Sequence, residues 1–184
     1  MRVITGSCRG KKLKTLESLD TRPTTDMVKE AVFSIIQFDV PASSVLDLFA
    51  GSGQMGIEAL SRGASHCVFV DSNPEAVAIV KDNVDSCGFN KDLRVWCLDS
   101  LVSLKVAKAG LDLVVIVPPY RLGIVEKVLE LVESKLNDGA IIVCEHEKEL
   151  ELGESYGRLK LHKRYKYGKT ALTVYKIPMK EVDY

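Results

Sequence analysis

The stretch VLDLFAGSGQMG, residues 45–56, joins an apolar run to three glycines, and a helical pattern at Ile57 and Leu60 follows it. An apolar strand that meets glycines and then a helix is the strand, tight turn and helix N-terminus at which an open α/β sheet holds a nucleotide-like ligand. The next apolar run, Cys67 to Val70, ends on Asp71, about 20 residues beyond the first glycine of the turn. A carboxylate there can accept hydrogen bonds from both hydroxyls of a ribose. Together these features imply adenosine and leave open what is attached to it, because the glycine pattern alone fits a nicotinamide dehydrogenase equally well.

Two further acids narrow the ligand. Asp47 sits inside the first strand, just before the glycines, where a pyrophosphate would be repelled and an ammonium attracted. Asp99 follows the run Arg94 to Leu98 and can accept from an adenine amino group. Carboxylates at the ends of three successive strands suit a ligand that is cationic at a sulfonium and an amine, which describes S-adenosylmethionine. Phe49, Ala50, Gly51 and Gly53 form the turn, and Ser72 and Ser100 follow the second and third acids, so all six join the candidate cofactor contacts. The competing reading is that each acid only caps a helix or closes a turn.

Outward from this core the chain alternates strand with helix. Strands are expected at 45–49, 67–70, 93–98, 111–117 and 140–145, and helices at 54–62, 74–87, 100–108 and 122–136. Alternation of this kind argues a doubly wound parallel sheet with right-handed crossovers. Two last strands, about 158–165 and 171–176, are linked by only a few residues and must pair antiparallel. Upstream, Thr25 caps a helix from Asp26 to about Phe38, with Val28, Ala31, Val32, Ile35 and Ile36 at helical spacing. Arg2 to Thr5 and Lys12 to Thr15 read as a small β-hairpin about a glycine turn, too short to be stable alone. The expected organisation is a hairpin extension over 1–20 and a catalytic domain over 21–184. The fold class is α/β and Rossmann-like, of the class I methyltransferase kind, with a mostly parallel seven-stranded sheet and an antiparallel last strand.

Composition limits the function classes. A chain of 184 residues makes one domain of ordinary size. Its apolar runs are strand-sized, too short to span a membrane, and no signal peptide is visible. Five cysteines form no C-x-x-C pair, and Cys67, Cys97 and Cys144 fall in expected buried strands, so they read as reduced core residues without a metal site. The formal net charge is zero, yet basic residues gather at the two ends. Arg9, Lys11, Lys12 and Arg22 lie near the start, and Arg158, Lys163, Arg164, Lys166 and Lys169 near the finish, interleaved with Tyr156, Tyr165 and Tyr167. If the ends meet, they make a basic face able to track phosphates; the alternative is two solvated edge segments.

The turn Val117-Pro118-Pro119-Tyr120 ends the strand that begins at Leu111 and supplies the candidate catalytic residues. Two prolines fix the backbone at the carboxyl edge of the sheet. The turn then presents the Pro118 carbonyl and the Tyr120 ring, which can hold an extruded nucleobase with its exocyclic amine aimed at a methyl donor.

Over nearly its whole length the sequence resembles the RsmD-type 16S rRNA guanine-N2 methyltransferases of bacteria. The resemblance rests on RVITGSCRGKKLKT (2–15), TRPTTDMVKEAVFSII (21–36), VLDLFAGSGQMGIEALSRGA (45–64), FVDSNPEAV (69–77), the Pro-Pro-Tyr turn and YGKTALTVYKI (167–177). It implies a cytoplasmic, monomeric enzyme that uses S-adenosylmethionine and no metal to methylate a guanine amine in small-subunit ribosomal RNA, or in the assembling subunit. By that carry-over Asp47, Gly51 and Gly53 line the methionine side, Asp71 the ribose, Asp99 the adenine, and Pro118 and Tyr120 the guanine. Arg22 and Thr24 lie beside the active site. One position departs: the family's turn opens on Asp or Asn, where this chain has Val117. An oxygen there accepts an amine hydrogen and localises the nitrogen lone pair, and valine cannot do so. By analogy with the loss of one oxyanion-hole donor, the cost is about 100- to 1000-fold in rate, roughly 3 to 4 kcal/mol. Positioning and stacking remain. Two alternatives stay open: a cofactor- and RNA-binding module without turnover, and an amino-methylating enzyme with another substrate such as DNA adenine.

Overall fold

Strand β1 (Ser44–Leu48) lies inside the sheet because it carries apolar residues on both faces, Val45 on one and Leu46 and Leu48 on the other, and a strand buried on both sides must be covered from both. The computed structural model describes residues 1–17, 24–91, 93–120 and 123–182. In chain order the elements are α1 (Asp26–Ile35), β1, α2 (Gln54–Ser61), β2 (His66–Asp71), α3 (Pro74–Ser86), β3 (Leu93–Cys97), α4 (Ser100–Val106), β4 (Leu111–Ile116) and α5 (Val125–Val132). A single 3₁₀ turn (Glu133–Lys135) follows, then β5 (Leu136–Glu147), β6 (Ser155–Tyr156), β7 (Leu159–Tyr167) and β8 (Thr170–Lys176). The sheet runs β3-β2-β1-β4-β5-β8-β7-β6. The first five strands pair parallel, and β8, β7 and β6 add antiparallel. The strand order reverses at β1, with β2 on one side and β4 on the other. That switch point opens a crevice at the carboxyl ends of the strands.

Alternation along the strands sorts the core into two layers. Val45, Leu113, Val115, Val143, Leu172 and Val174 face one way and meet Val28, Val32 and Phe33 of α1, Ile57 and Ala59 of α2, and Val80 and Val84 of α3. Leu46, Leu48, Val114, Ile116, Ile142 and Cys144 face the other way, onto Leu104 of α4 and Val125, Val128, Leu129 and Val132 of α5. Helix α1 begins where the sequence places it, with the Thr25 hydroxyl accepting from the Val28 amide at 3.3 Å. No helix among the described residues is long and apolar enough to cross a membrane.

The sheet has eight strands where the sequence predicts seven, because two residues, Ser155 and Tyr156, pair against Lys160 and Leu159. The expected N-terminal hairpin is reduced to one antiparallel bridge, Arg2 with Lys12. Around that bridge Val3 N donates to Lys11 O, Gly10 N to Val3 O and Leu13 N to Met1 O, while Ile4 and Thr5 donate to the Glu58 carboxylate at 2.9 and 3.0 Å and Cys8 donates to the Ser61 hydroxyl. Lys29 is fully buried, donates to the Arg2 carbonyl at 2.7 Å, and is pushed below its ordinary pKa by that burial. The segment is therefore anchored on α1 and α2, and Val3 and Leu13 enter the core. Cys97 is exposed although it lies in an apolar run, because β3 is the edge strand. Cys67 and Cys144 are buried, as expected.

Candidate active site at the carboxyl edge of the sheet

The glycine turn is built from left-handed backbone. Phe49, Gly51 and Gly53 have φ of 65°, 57° and 80°. Phe49 is the exception among them, since a side chain in that region costs about 1 to 2 kcal/mol; its ring packs on the second core layer, which offsets the strain. Gly56 has a different duty. A Cβ there would lie 2.3 Å from the Phe69 ring and 2.8 Å from the Cys67 sulfur, so this glycine lets α2 press against β2.

Each of the three acids holds a local turn. Asp47 is 1% exposed, beneath the turn, and its Oδ2 accepts from the Gly56 amide at 2.9 Å, so it caps α2 from the preceding strand. Burial, opposed by that hydrogen bond and aided by the nearby Asp71, raises its pKa to about 7. Asp71 accepts from Gly51 N at 2.8 Å through Oδ2 and from Asn73 N at 2.9 Å through Oδ1. It therefore ties the end of β2 to the glycine turn. Asp99 is the N-cap of α4 and accepts from the amides of Leu101 and Val102 through one oxygen, Oδ1. Ala50 is buried and its amide donates to Val70 O; Ser72 is exposed beside Asp71. Two buried polar atoms along this edge have no partner among the described residues: Gln54 Oε1, at the start of α2, and Ser100 Oγ, next to Asp99. Acids, a left-handed glycine turn and buried polar atoms without a partner among the described residues together fit a cationic, adenosine-bearing ligand.

On the other side of the switch point, Pro118 is buried, Pro119 exposed and Tyr120 half-buried. The Tyr120 hydroxyl lies 2.8 Å from Thr170 Oγ1 at the start of β8, which fixes the ring over the tip of the β7–β8 hairpin. Val117 packs on the first core layer with Val115. Asp112 is committed elsewhere, accepting from Ser44 N and Asn137 Nδ2 at the opposite end of β4. His146 is buried and spans the Glu147 carbonyl and the Thr173 hydroxyl, each at 2.8 Å; burial lowers its pKa.

The basic candidates are dispersed. Arg9, Lys11 and Lys12 are exposed on the N-terminal segment, which packs on the first core layer, as do Tyr165 and Tyr167 of β7. Lys169 is exposed at the tip of the β7–β8 hairpin, and Arg164 donates to the Leu152 carbonyl. Arg22 lies outside the described residues. Tyr156 is withdrawn from any base platform, since its ring packs edge-on against Tyr175 at 5.6 Å and its hydroxyl donates to Glu126. Arg158 is paired with Glu133 and Asp138. Thr24 faces inward: it is buried, its hydroxyl donates to Glu145 Oε2 at 2.8 Å, and its carbonyl accepts from Gln54 Nε2 at 3.1 Å. Sequence reasoning passed over Glu145 and Gln54. Glu145 carried a signal, as it is an acid ending an apolar run, like Asp71 and Asp99.

Comparison with known proteins agrees with this fold. The family model described as "Conserved hypothetical protein 95" matches residues 1–176. The chain is 40% identical to the Bacillus subtilis protein named "Putative rRNA methyltransferase YlbH", over 96% of this chain and 98% of that one. It is 31% identical to "Ribosomal RNA small subunit methyltransferase D" of Escherichia coli, over 95% and 89%. Among solved structures, "Putative methyltransferase yhhF from Escherichia coli" superposes with a TM-score of 0.88 at 29% identity, covering 98% of this chain and 99% of that one.

Proposed function

Because the chain belongs to the conserved hypothetical protein 95 family, together with bacterial ribosomal RNA methyltransferases, we propose that it transfers a methyl group from S-adenosylmethionine to ribosomal RNA, at the N2 amine of a guanine in the small subunit. The observation that carries this reading is the crevice itself. Three acids and a glycine turn line the ends of β1, β2 and β3, and a rigid Pro-Pro-Tyr turn closes the end of the adjacent β4. When bound, S-adenosylmethionine supplies an electrophilic methyl on a sulfonium. Asp71 would accept from the ribose and Asp99 from the adenine amine, with Gln54 Oε1 and Ser100 Oγ as further acceptors. Asp47 holds the turn through Gly56 N, and a cation bound above the turn would favour its charged form. The Pro118 carbonyl and the Tyr120 ring, anchored by Thr170, would orient the base, so that proximity supplies much of the rate.

The test is incubation of the protein, and of Val117→Asp, with labelled S-adenosylmethionine and small ribosomal subunits lacking the modification, followed by digestion of the RNA. Label in N2-methylguanosine is the expected result. Absence of label from both proteins, or label in adenine, would refute the assignment. Val117 favours one second reading, a module that binds cofactor and RNA without turnover; it predicts label from the variant alone.

A further inference from the structure

An aromatic amine is a poor nucleophile because its lone pair is delocalised into the ring, so a site that methylates one needs an acceptor at an amine hydrogen. Val117 offers methyl groups. The sheet, however, brings a carboxylate to the same place from the neighbouring strand. β4 and β5 run parallel in register, with Val115 opposite Val143 and Ile116 opposite Cys144. The next residues along each strand are Val117 and Glu145. Both continue the face of Val115 and Val143, and adjacent strands lie about 4.8 Å apart. A glutamate is one methylene longer than the aspartate that position 117 would need, which helps to span that lateral step. Glu145 is 8% exposed, and the Thr24 hydroxyl, donating to Oε2 at 2.8 Å, holds its carboxylate at the carboxyl edge of the sheet. A carboxylate has about four lone-pair sites and can serve more than one donor.

Resting on the functional reading above, we infer that Glu145 is the hydrogen-bond acceptor for the target amine, in the role that Val117 leaves unfilled. The nitrogen lone pair forms the N–C bond as the C–S bond breaks and its electron pair stays on sulfur, which becomes a neutral thioether. The nitrogen gains positive charge in the transition state, and the Glu145 carboxylate stabilises it. One amine proton then passes to that carboxylate and on to water. Thr24 is a positioning residue.

Single-turnover methylation of unmodified small ribosomal subunits tests this in the wild type, Glu145→Ala, Thr24→Val, and Glu145→Ala combined with Val117→Asp, with S-adenosylhomocysteine affinity measured for each. Glu145→Ala is expected to slow transfer about 100-fold or more, the scale of one lost transition-state hydrogen bond, while S-adenosylhomocysteine affinity changes less than about threefold, since that ligand lies across β1 to β3. Adding Val117→Asp should restore at least about tenfold, by returning an acceptor to the same place, and Thr24→Val should cost much less than Glu145→Ala. A Glu145→Ala rate near that of the wild type would overturn the inference. So would a slowed variant that Val117→Asp does not rescue, because Glu145 would then act only through packing or by holding its own partners in place. No transfer by the wild type, with S-adenosylhomocysteine still bound, would overturn the functional reading and this inference with it.

Discussion

Replacing Asp47 with asparagine should make the protein more stable as the pH rises. Asp47 is buried, with a carboxyl pKa of 3.8 in an unstructured chain and about 7 in the fold. Between these values the native state keeps a proton that the unfolded state has released. Stability therefore falls with rising pH by about 1.4 kcal/mol per unit across that window, and the whole penalty, about 4 kcal/mol, is present only above pH 7. Asparagine is nearly isosteric and its amide oxygen can keep the bond from Gly56 N, while its NH₂ adds a constant cost of about 1 to 3 kcal/mol if unpaired. That constant cancels when the gap between variant and wild type is compared at two pH values. From pH 5 to pH 8 the gap should move by about 3 kcal/mol in favour of Asn, or about 6 to 10 °C in Tm for a domain of this size. Thermal melts of both proteins across this range are the assay. A gap that does not change with pH would show that Asp47 titrates as an ordinary carboxylate and would refute the reasoning. A cation bound above the turn would favour the charged form, so S-adenosylhomocysteine binding near pH 6.5 should release protons from the wild type and not from Asp47→Asn.

Gly56→Ala should destabilise by about 1 to 3 kcal/mol, as its Cβ meets the Phe69 ring at 2.3 Å; a denaturant midpoint equal to that of the wild type would mean that α2 can shift away freely. Tyr120→Phe removes only the bond to Thr170 and should lower methyl transfer a few-fold, whereas Tyr120→Ala removes the ring and should cost about 1 to 3 kcal/mol of RNA affinity; equal effects in a binding titration would argue against stacking. Lys166→Ala with Lys169→Ala removes two exposed charges of the terminal hairpin and should make the plot of log affinity against log salt shallower by about 1.5. An unchanged slope would take that hairpin out of the RNA interface.

What the sequence displayed and what it concealed divide along the distance over which each choice is made. Helix α1 was legible because Thr25 and the spacing of Val28, Val32 and Ile35 act within a few residues. The crossover order followed from alternation. Strand β5 extends back to Leu136, through Asn137 and Gly139, because Leu111 pairs with Leu136 and Gly139 N donates to the Ile177 carbonyl, partners that local propensity cannot register. The N-terminal ladder stays short for the same reason: Val3 N bonds to Lys11 O and Leu13 N to Met1 O, but Glu58, more than 50 residues away, takes the next two amides, Ile4 and Thr5. The Thr24–Glu145 bond spans 121 residues and joins a loop to a strand end, so either residue alone reads as unremarkable.

The two halves of the site differ in how much of their ordering is complete before any ligand arrives, and this bears on what Val117 changes. The acids on the cofactor side are fixed by their own backbone: Asp47 and Asp99 each bond through a single oxygen, and Asp71 through both. Each carboxylate oxygen carries two lone pairs, so a ribose or an amine can add to these bonds without displacing them. Cofactor affinity should accordingly rest on a preformed frame and survive changes at Val117 or Glu145. On the proposed acceptor side, Tyr120 meets Thr170 and Glu145 accepts from Thr24, contacts that tie this edge to elements remote in sequence. Substitutions there should change the rate of transfer and leave cofactor binding intact. On the proposed reading, that separation would let one chain carry valine at the turn and still keep its cofactor frame.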